Sequence, residues 1–236
     1  MFMKKVTLSL IACAASLFSA LSQGAIISSF DTQVNVDISS TFVSSEFQTF
    51  LCCDEVYEEG SVSGNASGTG YGGPVTLAAN DIGDLDAKAI GEVTGLGGYV
   101  DSVWSTSGTL LIDNRSGQSS INGDVSFDIS WSANIFTDSL YSGAFSGAWL
   151  YVENSDDEVI FDDYIEFDSF VDSPGGFGAL QTFSINVRDV TIAAGGSEQY
   201  DIGIGAVGFA YVPEPGGVLL AGLALLFALR KRKMSA

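Results

Sequence analysis

Ile121, Gly123, Val125, Phe127, Ile129, Trp131, Ala133 and Ile135 all fall on odd positions, with polar residues filling most of the positions between them. A period of two points successive side chains to opposite faces of an extended strand. Such a segment can bury its apolar half only as part of a sheet. Tyr200, Ile202, Ile204, Ala206, Gly208 and Ala210 repeat the pattern on even positions. Hardly any segment between residues 26 and 212 carries a helical period. Further strands are expected at 30–38, 89–95, 99–104, 109–113, 146–153, 159–165 and 182–192. Clusters of Gly, Asn, Asp and Ser at 60–73, 114–117, 154–157, 173–178 and 194–197 separate them. The longest of these, 60–73, reads as a flexible loop. Nine or ten short strands in one domain predict an all-β chain: a single antiparallel β-sandwich, jelly-roll-like. No repeat of fixed period points to a solenoid or propeller.

The chain has no histidine, which removes the Ser-His-Asp triad, the Cys-His pair and imidazole zinc sites. Cys52 and Cys53 are adjacent, which is neither a zinc spacing nor a C-x-x-C redox motif. The expectation is a local disulfide in a loop that begins Cys52-Cys53-Asp54-Glu55. Acidic clusters are what remains for site chemistry. Asp81, Asp84 and Asp86 form one. Asp156 and Asp157 open a second that runs through Glu158, Asp162, Asp163, Glu166, Asp168 and Asp172. Loop carboxylates of this kind are candidate calcium ligands, since Ca²⁺ takes about six to eight hard oxygens. The plainer reading is a solvated acidic face, and no other cofactor is expected. A carboxylate glycosidase would need two such groups about 5 Å or about 6.5–9.5 Å apart, and no pair is singled out. No enzymatic activity is expected. Trp104, Trp131, Trp149, Tyr141 and Tyr151 are candidates for a sugar-stacking face, although most fall in apolar alternation and read as core. Asn65-Ala66-Ser67 and Asn114-Arg115-Ser116 match the N-glycosylation acceptor pattern.

The two ends concern export. Residues 1–25 have the form of a secretory signal peptide: Lys4 and Lys5, an apolar run from Val6 to Leu21, then small residues around Ser22 to Ala25. Leu10-Ile11-Ala12-Cys13 also fits a lipoprotein box, but the apolar run continues past the cysteine. At the other end stand Val212, Pro213, Glu214 and Pro215, an apolar run over 216–229, and the basic stop Arg230, Lys231, Arg232 and Lys233. Proline fixes φ and pushes the preceding residue toward extended backbone, so 212–215 should be an extended strip open to a processing enzyme. The 14-residue run would be about 21 Å long as a helix. That is short against a hydrocarbon core of about 30 Å. Four consecutive cations hold that end in the cytoplasm.

This tail resembles the PEP-CTERM sorting signal of Gram-negative, exopolysaccharide-producing bacteria. The resemblance rests on residues 212–215, the apolar run 218–229 and residues 230–233, about a tenth of the chain. It implies recognition by an exosortase, a membrane cysteine protease that cuts near the proline motif. The implied path is a membrane-held precursor, transient through the C-terminal helix, and then the cell surface or exterior. Removing both ends leaves residues 26–212 with 28 acids against three bases (Lys88, Arg115, Arg188), a net of −25. Such a body repels nucleic acid and anionic lipid. The sequence therefore predicts three regions: a signal peptide at 1–25, an acidic sandwich at 26–212, and a sorting signal at 213–236. The expected role is a structural or interaction role in a biofilm or exopolysaccharide matrix, with a carbohydrate-binding module that holds matrix polysaccharide as the alternative.

Overall fold

The computed structural model describes residues 27–138, 142–169 and 175–214, which form eleven strands. In chain order they are β1 (Ser28–Ser40), β2 (Ser44–Glu59), β3 (Val62–Gly68), β4 (Gly72–Ala78), β5 (Ile82–Val93) and β6 (Tyr99–Asp113). There follow β7 (Ile121–Thr137), β8 (Gly143–Asn154), β9 (Val159–Asp168), β10 (Gly175–Ile192) and β11 (Ser197–Tyr211). The described residues are all-β and build two antiparallel sheets. One sheet has the order β10-β7-β1-β5-β3, the other β4-β2-β6-β11-β8-β9. Successive strands fall in different sheets at every connection except the β8–β9 hairpin.

The sheets face each other because each has one apolar side. The odd positions of β7 point inward, and Phe127 and Trp131 are fully buried. Even positions of β11 do the same from the opposite sheet, where Tyr200, Ile202 and Ile204 meet Val34, Val36 and Leu85 in one continuous core. Tyr200 packs edge-on against Phe127 across the layers, with ring centroids 5.9 Å apart. Most polar side chains that enter this interior find a partner, as burial of an unpaired hydroxyl is costly; Thr137 Oγ1 and Trp104 Nε1 are the exceptions among the described residues. Thr32 and Ser146 join their hydroxyls between the sheets at 2.5 Å, and Ser28 donates to the Gly143 carbonyl at 2.6 Å.

Several expectations are corrected. Strand β2 was not anticipated, and Cys52-Cys53-Asp54-Glu55 lies within it rather than in a loop. Its register against β6 slips between Leu51 and Cys53, so Cys52 is an extra, bulged residue that breaks the alternation. Residues 60–73 are not a flexible loop: β3 occupies 62–68 and pairs with β5 through its backbone. Strand β4 contains Pro74 and lies at a sheet edge, where a missing N–H is tolerated. The expected strands 99–104 and 109–113 are one strand, β6, and β5 begins at Ile82. The expected signal peptide and the C-terminal apolar segment with Pro215 and residues 230–233 lie outside the described residues. Among the described residues no helix is long and apolar enough to cross a membrane.

Candidate functional site

The outer face of the six-stranded sheet carries a run of aromatic rings that begins with the parity of β8. Ala144, Ser146, Ala148, Leu150 and Val152 point inward and are buried. Phe145, Gly147, Trp149, Tyr151 and Glu153 therefore point outward along one line. Across β8 from Trp149 and Tyr151 stand Gly205 and Gly203 of β11. With no side chain at those positions, the two rings lie flat on the neighbouring strand. A Cβ at Gly205 would come within 2.2 Å of the indole Nε1 of Trp149, and one at Gly203 within 2.0 Å of Tyr151 Cε1. The two rings are parallel to within 4°, with centroids 5.9 Å apart.

The strip extends in both directions. Tyr164 of β9 stands opposite Trp149, is 47% exposed, and borders Gly147 together with the Phe145 ring. Phe145 and Phe209 stack at 5.5 Å and 13°. Beyond β11, the outward residues of β6 are Ser105 and Ser107, facing Gly205 and Gly203. Carboxylates form the rim: Asp162 opposite Tyr151, Glu166 opposite Gly147, and Asp201, which accepts from Thr109 Oγ1 at 2.7 Å. Tyr164 donates its hydroxyl to Glu166. Burial, then that hydrogen bond and the Glu166 charge, push the Tyr164 pKa up to about 12. Burial, with Glu153 and Asp201 nearby, also raises Tyr151. Both phenols stay neutral, so the floor of the strip is uncharged while its rim is anionic. Lys88 lies on the other sheet, Arg188 on β10 of that sheet, and Arg115 in the β6–β7 turn beside Asp113.

Of the expected sugar-stacking residues, the structure therefore brings Trp149 and Tyr151 together on the outer surface. Trp131 is fully buried in the core, with its Nε1 donating to Gln181. Trp104 faces inward over Gly68, and Tyr141 lies outside the described residues. Tyr164, Phe145, Phe209 and the two glycines were missed. The β8–β11 and β8–β9 registers reveal them.

The acidic candidates do not come together. Asp81 caps the turn before β5 by accepting from the Ala78 N–H, and Asp84 and Asp86 lie on the outer face of β5 rather than in a loop. Asp86 accepts from Thr69 Oγ1 at 2.8 Å. Asp156 and Asp157 sit in the exposed β8–β9 turn, whose N–H groups are tied to Asn154. Among the described residues no group of three acidic or cysteine side chains is placed to hold a metal ion. Cys52 and Cys53 are exposed thiols with their sulfurs 2.9 Å apart, and the hydrogen bond between them raises the Cys53 pKa. Asn114 is no surface acceptor for a glycan. It is buried, and its Nδ2 donates to the carbonyls of Ser119, Ile192 and Ala193, stitching the β6–β7 turn to the β10–β11 turn.

The margin that leads to the tail is also built from backbone. The Gly97 N–H donates to the Val212 carbonyl at 2.8 Å, and the Val212 N–H donates to Gly98 at 2.9 Å. Val212 is 1% exposed, so the expected open strip does not include it. Pro213 is half-buried and Glu214 is exposed, with its side chain over Gly97.

These features define a two-sheet antiparallel β protein with an aromatic outer face. No protein-family profile matches the chain, and no curated protein matches it. Among solved structures, one described as "putative beta-galactosidase from bacteroides fragilis" is 12% identical over 65% of this chain and 25% of that one, with a TM-score of 0.17. The chain thus spans a quarter of that protein's length. The coconut allergen cocosin is 5% identical, covering 79% of this chain and 77% of its own, with a TM-score of 0.10. Scores at this level define no shared fold.

Proposed function

We propose that this chain is an exported, non-enzymatic matrix or cell-surface protein. Its jelly-roll-like sandwich crosses the inner membrane behind a signal peptide at 1–25. An exosortase-type enzyme then processes it at the tail, as the resemblance of residues 212–236 implies. The observation that supports this most directly is the placement of Val212. The core closes on that residue and the Gly97–Gly98 turn holds it, so the last described strand is tied down immediately before the proline motif. A cut after Pro213 or Glu214 would leave every described strand intact. The excess of acids over bases keeps such a body soluble outside the cell and sets it against nucleic acid and anionic lipid. The exposed Cys52 and Cys53 supply the test. After mild reduction, a membrane-impermeant maleimide added to intact cells should label both. Labelling that appears only after lysis contradicts export.

A further inference from the structure

We propose that the aromatic strip along β8 binds a neutral, ribbon-like hexopyranose polysaccharide, lying flat across Trp149 and Tyr151. This goes beyond the export reading and does not depend on the route by which the chain leaves the cell.

The geometry selects the ligand in three ways. First, the two rings are parallel to within 4° and are seated on Gly205 and Gly203, so they offer one flat apolar surface rather than protruding side chains. Sugar rings present apolar C–H faces, and aromatic faces carry the negative end of a quadrupole, so the two stack face to face. A polymer whose successive rings share a plane can cover both positions at once, whereas a helical glucan cannot. Second, the surface continues through Tyr164 to Phe145 and Phe209. From residue 145 to residue 151 that is about 20 Å of strand at about 3.4 Å per residue, enough for several sugar units. Third, the rim is made of acceptors. Asp162, Glu166 and Asp201 carry acceptor oxygens, and sugar hydroxyls can donate to the lone pairs that Tyr164, Thr109 and Gln199 leave open. With no basic residue beside the strip among the described residues, a polyuronate would be repelled.

Binding would be measured by retention of the full chain, in mild detergent, on insoluble cellulose and mannan, with amylose and alginate as comparison polymers. Retention is expected on the ribbon polymers and not on amylose or alginate. Trp149→Ala and Tyr151→Ala should each weaken binding by about tenfold. Trp149→Phe, which keeps a flat ring, should restore most of it. All variants should melt close to the parent, which separates lost binding from lost folding. Four results would each overturn the proposal: no retention on either ribbon polymer, equal retention on alginate or amylose, Ala variants that bind like the parent, or concentration-dependent dimers that Trp149→Ala abolishes without any polymer binding. A chain that is exported yet not retained would defeat this inference while leaving the proposed function standing.

Discussion

Replacing Gly208 with alanine and replacing Gly205 with alanine, three residues apart on β11, should have opposite consequences because the two positions face opposite sides of the sheet. At Gly208 the new Cβ points into the core and would sit 2.1 Å from Cδ2 and 2.5 Å from Cε2 of Phe30. Phe30 is 3% exposed and has nowhere to go. Forced overpacking of this kind costs about 1–3 kcal/mol. Removing a glycine from a strand interior returns about 0.5–1 kcal/mol. With a close clash against an immobile ring, the net should be a loss of about 2 kcal/mol. For a domain of this size each 1 kcal/mol moves Tm by about 2–4 °C, so the expected fall is about 4–8 °C. At Gly205 the Cβ would meet the Trp149 indole at 2.2 Å, but that ring lies on the outer surface and can swing away. The lost packing and the strand gain should cancel to within about 0.5 kcal/mol. Thermal unfolding followed by circular dichroism reads the first difference. Tryptophan fluorescence reads the second, with a red shift expected for Gly205→Ala as the indole lifts into water. Equal destabilisation by the two substitutions would refute the assignment of faces.

Three further outcomes follow from the same arrangement. Burial, and secondarily Glu198, push the Tyr200 pKa up to about 12, above its ordinary value of 10.0. The unfolded chain releases this proton first, so stability should fall as pH rises from about 10 to about 12, by up to about 1.4 kcal/mol per pH unit, and less steeply in Tyr200→Phe. Asp84, Asp37 and Asp128 stand directly opposite one another across β5, β1 and β7. Asp37→Asn should therefore stabilise by a few tenths to about 1 kcal/mol in urea unfolding at low salt, an effect that added salt shrinks. Because the expected calcium ligands are dispersed over a turn, a strand face and a second turn, a chelator should leave Tm unchanged.

What was legible in the sequence depended on contrast between the two faces of a strand. Strands β7 and β11 have an apolar face opposite a polar or small one, so their period of two stood out. In β6 the segment Ser105-Thr106-Ser107-Gly108 interrupts the apolar signal, and one strand looked like two. The bulge at Cys52 shifts the alternation of β2 by one residue, and the acidic residues that follow hide it further. Strand β3, Val62-Ser63-Gly64-Asn65-Ala66-Ser67-Gly68, carries one large apolar residue and is held by backbone pairing at an edge, which composition cannot report. The aromatic site failed for the opposite reason. Ala148-Trp149-Leu150-Tyr151-Val152 is apolar on both faces, so parity was invisible. Only the register against Gly203 and Gly205, some 50 residues later, shows which rings lie outside. Asn114 misled because an acceptor motif looks the same whether its amide is free or bonded to three carbonyls.

The proposed function rests on export of this body and its release near Pro215. Intact-mass measurement of the protein found outside the cell tests it most directly. The expected species begins within a few residues of Ala25 and ends close to Pro215, lacking the apolar run and residues 230–233. A released form that retains residues 216–236 would contradict it.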